Sequence, residues 1–129
     1  MPRYALLRHE CPSEYKPSHW DLMLEVGGVL ATWELRELPA AWANALHLNV
    51  IEAGAPGNVT RLPDHRLDYL DYEGPVTGGR GSVSRISGGS FQILESTPDT
   101  LTGVLSGETL SGEFKLTRVA DSDFWNLDV

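Results

Sequence analysis

The residue types and spacing of a metal site occur near the start of the chain. His19 and Asp21 belong to a segment, residues 19–25, in which polar and apolar residues alternate, so we predict a β-strand. Met23 and Glu25 share the face of His19 and Asp21. The opposite face is predicted to pack in the core: Trp20, Leu22 and Leu24. Residues two apart on one strand face have backbones about 7 Å apart, so a third ligand could close a metal site there.

His9 is the candidate for that third ligand, because it ends the apolar segment just before this strand. Two neutral imidazoles and one carboxylate leave metal positions open for water or substrate, as a catalytic site requires. The residue types do not choose among Mn²⁺, Zn²⁺ and Fe²⁺. The alternative is a solvated strand face on which Asp21 pairs with an arginine.

A second cluster of polar groups includes His65 and Tyr69, four positions apart in a segment rich in titratable residues. Both side chains could donate hydrogen bonds to phosphate oxygens in a pocket. The alternative is a surface histidine beside a rim aromatic. His47 follows the predicted helix directly, and Cys11 precedes Pro12 in a predicted loop; we interpret both as structural.

The pattern of strands and turns predicts a mainly β fold, a compact antiparallel β-barrel or sandwich with one or two short helices. Gly27-Gly28 predicts the turn of a hairpin, and Gly88-Gly89 predicts another turn. A helix is predicted over residues 39–46, with Pro39 in its first turn. The predicted strands are 3–8, 19–26, 29–35, 68–72, 81–86, 90–95, 101–105, 108–111 and 113–119, with 47–52 as a further candidate. Residues 124–127 are a last apolar segment.

Length and composition indicate a single domain, residues 1–129, with 41% hydrophobic residues. The sequence has no apolar run long enough for a membrane span and no secretory signal, so we expect a cytoplasmic monomer. Its single cysteine fits a reducing compartment. The net charge of −8 repels nucleic acid, so any phosphate-bearing substrate requires a local basic patch.

The order of several segments resembles the 3′-phosphoesterase domain of bacterial ATP-dependent DNA ligase D. The matching segments are Arg8-His9, residues 19–25, Gly28-Val29-Leu30, Thr32-Trp33, Asp64-His65, Leu67-Asp68-Tyr69, Tyr72-Glu73-Gly74, residues 105–118 and Trp125. The resemblance covers nearly the whole chain and is weakest over residues 39–63.

The resemblance implies a β-barrel-like fold and a Mn²⁺-dependent activity that trims DNA 3′ ends during break repair. Such domains remove a 3′-terminal ribonucleoside and then the remaining 3′-phosphate from a primer-template. His9, His19 and Asp21 fall on the family's metal ligands, and His65 and Tyr69 fall on its phosphate-contacting residues. We therefore expect His65, Tyr69 and Asp21 to be catalytic. A DNA ligase or polymerase would be a partner in trans.

One departure concerns the cation that clamps the phosphate. The family usually has an arginine two residues after the ligand aspartate, where this chain has Met23. Arg36, which lies one position before the place of a family lysine, is a candidate to replace that arginine. Arg61 and Arg80, which flank the His65 segment, are two more.

Two other functions fit parts of the pattern. His19, Asp21 and His65 could form the two-histidine, one-carboxylate triad of a non-haem iron oxygenase, with Arg80 holding a co-substrate. That hypothesis makes His65 a ligand, whereas the phosphoesterase hypothesis makes His9 one. Alternatively, the chain is a non-catalytic module of the same fold that binds DNA ends or a repair protein.

Overall fold

The computed structural model describes residues 2–48 and 59–129. In these residues, nine antiparallel strands, one short α-helix and one 3₁₀ helix follow each other along the chain. The elements are β1 (Arg3–Glu10), β2 (His19–Val26), β3 (Val29–Leu35), α1 (Ala40–Ala45), β4 (Val59–His65), a 3₁₀ helix (Leu67–Leu70), β5 (Gly74–Pro75), β6 (Ser82–Thr97), β7 (Thr100–Gly107), β8 (Ser111–Arg118) and β9 (Phe124–Asp128). No helix among them is long and apolar enough to cross a membrane.

The strands form one antiparallel sheet whose hydrogen bonding runs in a ring. The strand order is β1-β2-β3-β4-β9-β8-β7-β6, and β1 also pairs with β6. The two-residue strand β5 adds to the free side of β6. The prediction of a mainly β, antiparallel, barrel-like fold with one or two short helices is therefore confirmed.

The β2–β3 hairpin sets the register of the strands that carry the first cluster of polar residues. Gly27 and Gly28 form its turn with φ of +62° and +84°, a region that glycine adopts without steric cost. The turn pairs Val26 with Val29, the first of seven consecutive pairs without a bulge. The hairpin predicted from the glycine pair is confirmed.

Strand β6 corrects the prediction of a turn at Gly88-Gly89. The predicted strands 81–86 and 90–95 are one continuous strand, because β6 pairs with β1 on one side and β7 on the other. Gly89 lies at the crossing with β7, where an added Cβ would stand 2.6 Å from the Cα of Gly107. Gly89 therefore permits close approach of two backbones, and Gly88 leaves room for the Arg85 side chain, without a chain reversal.

Three other sequence predictions were wrong or lie outside the described residues. Residues 68–72 do not form a strand, because Leu67–Leu70 is the 3₁₀ helix and its Leu70 is buried. Most of residues 108–111 forms the connection between β7 and β8. Of the candidate strand 47–52, residues 47–48 follow α1 without strand structure, and residues 49–52 are not described. Strand β4 was not predicted.

Apolar residues pack on both faces of β1 and β2, in two clusters. The main core fills one face and includes Tyr4, Leu6, Leu22 and Leu24, all fully buried. The second cluster consists of Ala5, Leu7, Met23, Leu30, Leu70 and Val83, with Tyr69, Tyr72 and Val76 packed against it. The chain from the 3₁₀ helix to Val76 thus covers the second face, and the polar residues of that face lie beside it.

Candidate metal and phosphate site

His9, His19 and Asp21 meet on the second face of the sheet. His9 and His19 are direct partners in the β1–β2 register, and their ring centroids lie 4.8 Å apart. His9 Nδ1 lies 3.5 Å from Asp21 Oδ2, and His19 Nε2 lies 3.2 Å from Asp21 Oδ1. All three residues are buried, with His19 fully inaccessible. The structure therefore brings together the three residues that the sequence proposes as metal ligands.

Backbone carbonyls orient both imidazoles toward Asp21. His9 Nε2 lies 2.7 Å from the carbonyl oxygen of Arg80, and His19 Nδ1 lies 3.0 Å from that of Pro17. A carbonyl only accepts hydrogen bonds, so the ring nitrogens that face the carbonyls carry the hydrogen. In the neutral rings, the opposite nitrogens then present lone pairs to the carboxylate.

That arrangement leaves polar atoms that a cation would satisfy. Among the described residues, His19 Nε2 and Asp21 Oδ1 are buried and have no hydrogen-bond partner. Metal-binding histidines typically donate their second ring nitrogen to a carbonyl or carboxylate, as both rings do here. The donor set thus fits a divalent cation held by His9 Nδ1, His19 Nε2 and the Asp21 carboxylate.

Gly81 makes the carbonyl contact of His9 possible. Its φ is +91°, and a Cβ at this position would stand 1.9 Å from the carbonyl oxygen of Glu10. Any larger residue would push this segment away from β1 and displace the neighbouring carbonyl of Arg80. A glycine therefore supports the orientation of a candidate ligand without touching it.

The protonation of the metal-free cluster follows from its burial and contacts. Burial disfavours the charged carboxylate of Asp21, but the imidazoles of His19 and His9, which lie 3.2 and 3.5 Å from its oxygens, outweigh this effect and lower the Asp21 pKa to about 2. The Asp21 carboxylate in turn raises the pKa of His9, although burial opposes that shift. A metal ion must therefore displace a proton that His9 holds more tightly than a free imidazole does.

Glu34 is a second buried carboxylate in the cluster, and the sequence analysis did not single it out. It is the direct partner of Asp21 in the β2–β3 register, and it is 4% exposed. Its Oε1 lies 3.6 Å from His19 Nε2 and 2.8 Å from Lys16 Nζ, and its Oε2 lies 2.8 Å from Arg36 Nε. Burial by itself would raise the pKa of Glu34, but the hydrogen bonds from Lys16 and Arg36 lower it by more. The net shift is downward, so Glu34 is ionised. Counting pairs back from the Gly27-Gly28 turn would have placed it opposite Asp21.

His65 and Tyr69 line the same pocket as the three candidate ligands, a cavity of about 370 Å³. Their rings meet edge to face with centroids 5.6 Å apart. His65 Nδ1 lies 2.9 Å from the carbonyl oxygen of Pro63, so the neutral ring carries its hydrogen there and has Nε2 available for a ligand. The pocket therefore combines the candidate metal ligands with a separate histidine and tyrosine.

The three arginines proposed for phosphate binding lie in different places. Arg80 lines the pocket, and its guanidinium donates to the carbonyl oxygen and hydroxyl of Thr77. Arg36 is paired with Glu34. Arg61 lies over the Trp33 ring and forms an ion pair with Asp64 at 2.7 Å. Neither Arg36 nor Arg61 lines the pocket.

Other pocket-lining residues escaped the sequence analysis: Tyr15, Lys16 and Arg66. All three belong to connecting segments without a strand or helix period, so no pattern marked them. Met23 also lines the pocket, but it is fully buried in the second cluster and brings no charge.

Cys11 lies closer to the cluster than its interpretation as a structural loop residue implied. One donor atom each from His9, Cys11 and His19 fall within 4.8 Å of one another. The Cys11 Sγ lies 3.9 Å from His19 Nδ1, the nitrogen that faces the Pro17 carbonyl rather than Asp21. Burial raises the pKa of the Cys11 thiol, which disfavours the thiolate. His9, Cys11 and His19 nevertheless form an alternative donor group for a metal ion, on the side of the His19 ring that faces away from Asp21.

The identity of the imidazole that joins His19 and Asp21 distinguishes the two enzyme hypotheses. His9 faces the Asp21 carboxylate, whereas His65 contacts the Pro63 carbonyl and the Tyr69 ring. The structure therefore places His9, and not His65, beside the Asp21 carboxylate.

Comparison with known proteins identifies the family of the chain. The chain is 27% identical over 124 residues to the multifunctional non-homologous end joining protein LigD of Pseudomonas aeruginosa strain PAO1. The match covers 90% of this chain and spans 13% of the length of that relative. Residues 8–118 match the DNA ligase D 3′-phosphoesterase domain. Because that match covers most of the chain, including every proposed ligand, the protein belongs to the DNA ligase D 3′-phosphoesterase domain family.

Proposed function

We propose that this protein is a metal-dependent phosphoesterase that processes DNA 3′ ends in break repair. One observation carries the proposal: two imidazoles, each oriented by a backbone carbonyl, face a buried carboxylate in the pocket that also contains His65 and Tyr69. The cation would be Mn²⁺, which imidazole and carboxylate donors accept. The substrate would be a 3′-terminal ribonucleotide, a 3′-phosphate, or both in succession.

Each residue of the pocket has a separate role in the proposed reaction. A divalent cation bound by His9, His19 and Asp21 would supply Lewis-acid polarisation of the phosphate ester. Asp21, with its low pKa, stays ionised and holds the cluster in one arrangement. The Pro63 carbonyl holds His65 Nδ1, which leaves Nε2 of this pocket-lining ring to donate to the developing charge or to protonate the leaving oxygen when the ring carries a proton. The Tyr69 hydroxyl orients the phosphate by a hydrogen bond.

The proposed partners follow from the family and from the charge of the chain. The relative from P. aeruginosa is named as a multifunctional end-joining protein, and this chain spans a small part of its length. We therefore propose that this chain acts as a monomer. A DNA ligase or polymerase would act on the same DNA ends as a separate protein. With a net charge of −8, the protein should contact only the terminus of a DNA strand rather than a long duplex.

A primer-template assay tests the proposal. Primers that end in a 3′-phosphate or a 3′-ribonucleotide are incubated with Mn²⁺, with and without a chelator. The wild-type protein should release phosphate or the terminal nucleoside only with the metal. His9→Ala and His19→Ala should abolish the release. His47→Asn is the matched control, because His47 has φ of +56°, which asparagine tolerates, and it does not line the pocket.

The same assay tests the non-catalytic alternative, which the buried Met23 motivates. A binding module would retain affinity for a 3′-phosphorylated primer without turning it over under any metal condition. Turnover that persists unchanged in both the His9→Ala and the His19→Ala variant would contradict the proposed site.

A further inference from the structure

The ammonium group of Lys16 is fixed beside the candidate metal cluster. Lys16 lies in the connection between β1 and β2, and its Nζ donates to Glu34 Oε1 at 2.8 Å. The same oxygen lies 3.6 Å from His19 Nε2, the nitrogen that faces Asp21. Lys16 also lies near the ring of Tyr15, with Nζ 5.4 Å from its centroid. The charged group of Lys16, which lines the pocket, is thus separated from a proposed metal ligand by a single carboxylate oxygen.

Burial makes this lysine unlike an ordinary surface lysine. Its side chain is only 26% exposed, and that of its partner Glu34 is 5% exposed. Holding a long side chain in place normally costs conformational entropy on ligand binding. The fold has already fixed Lys16, so an anion bound in this pocket would meet a preorganised donor.

The local charges match a doubly charged anion. Glu34 has one negative charge and contacts two cations, Lys16 and Arg36, so the three side chains together are singly positive. A divalent cation with ionised Asp21 adds one further net positive charge. A terminal phosphate monoester approaches two negative charges near neutral pH, whereas a phosphodiester has one.

We propose that Lys16, positioned by Glu34, binds the substrate phosphate and gives the site its preference for a terminal phosphomonoester over a phosphodiester. The inference deepens the proposed function, since it rests on a phosphate-bearing substrate in this pocket. Its physical reason is that the attraction of one added cation doubles when the anion has two charges instead of one. Lys16 also provides a positive charge to a pocket in which Met23 provides none.

Anion binding, rather than turnover, is the direct test. Methylphosphonate, a dianion at mildly alkaline pH, and dimethyl phosphate, a monoanion, are titrated into the Mn²⁺-loaded protein by calorimetry. The wild-type protein should bind methylphosphonate more tightly. Lys16→Met should weaken methylphosphonate binding roughly tenfold to hundredfold and dimethyl phosphate binding much less. Lys16→Arg, which keeps the charge, should restore the preference for the dianion.

Lys115→Met is the matched control, because Lys115 is exposed on β8 and changes the net charge by the same amount. Mn²⁺ affinity is measured for each variant by electron paramagnetic resonance, so that loss of metal is not taken for loss of anion. Equal loss of both anions in Lys16→Met, loss of neither, or no preference in the wild type would overturn the inference. Absence of primer turnover with an intact Lys16-dependent preference would instead refute only the proposed function.

Discussion

Asp21→Asn should separate the two proposed roles of the buried carboxylate, which are pairing with His9 and binding of a metal. The substitution preserves the size of the side chain and removes its charge. The Asp21 pKa falls from 3.8 to about 2 in the folded protein. At about 1.4 kcal/mol per pH unit, the folded environment stabilises the ionised carboxylate by roughly 2 kcal/mol.

The pH window of that contribution follows from both partners. Because the folded pKa of Asp21 is lowered, its contribution is complete above pH 3.8 and is lost as pH falls toward about 2. Because the folded pKa of His9 is raised, its contribution is complete below pH 6.5 and is lost as pH rises through the folded value. Between these limits, near pH 5 to 6, metal-free Asp21→Asn should be less stable than wild type by roughly 2 kcal/mol, or about 6 to 10 °C in Tm for a domain of this size.

At alkaline pH the difference in stability between the metal-free variant and the metal-free wild type should become smaller. A neutral His9 then directs a lone pair at the carboxylate, whereas the amide of asparagine could donate a hydrogen bond to it. The deficit of metal-free Asp21→Asn should therefore shrink or vanish. Added Mn²⁺ at roughly a hundredfold over its Kd should raise the wild-type Tm by about 10 °C and the variant Tm far less.

Thermal unfolding followed by circular dichroism gives the Tm of wild type and variant. It is measured with and without Mn²⁺, at acidic and at alkaline pH. A full Mn²⁺-induced Tm shift in Asp21→Asn would show that the carboxylate is not a ligand. A stability deficit of the same size at both pH values would refute the described pairing with His9.

Three further predictions concern the surroundings of the cluster. Gly81→Ala should displace the Arg80 carbonyl from His9 and lower Mn²⁺ affinity roughly tenfold to hundredfold, measured by calorimetry; unchanged affinity would show that this carbonyl does not orient the ring. His65→Ala should reduce kcat for a 3′-phosphorylated primer by roughly 10²- to 10⁴-fold at unchanged Mn²⁺ affinity, and a parallel loss of metal would make His65 a ligand instead. Phe91→Ala should lower the free energy of unfolding by about 3 to 5 kcal/mol in denaturant titrations, because Phe91 is fully buried in the main core; a loss below 1 kcal/mol would contradict that packing.

The strand that carries His19 and Asp21 could be predicted from its own residues. Alternation over residues 19–25 assigned one face to the main core, where Leu22 and Leu24 indeed lie. The Gly27-Gly28 turn defined the hairpin and, by counting, the pairing of Asp21 with Glu34. These features are local, because a strand alternates every two residues and a two-residue turn fixes its register.

Contacts between distant segments determined the rest. Gly88-Gly89 resembles a turn by composition, yet pairing with β1 and β7 on both sides keeps β6 continuous. Strand β4 has a proline and no regular alternation, and it forms where β3 and β9 pair with it. Residues 67–70 coil into a 3₁₀ helix because Leu70 packs into the second cluster.

The sequence by itself determined the ligand types, the hairpin and the face on which His19 and Asp21 lie. Only the tertiary structure decided that the carbonyls of Arg80 and Pro17 direct two imidazoles at one carboxylate. It also decided that Lys16 contacts Glu34 and that Arg61 packs on Trp33 rather than lining the pocket. The physical reason is that hydrogen bonds from loops, and the burial that strengthens them, depend on segments brought together by sheet closure. The strand and helix periodicity of the sequence does not predict those contacts.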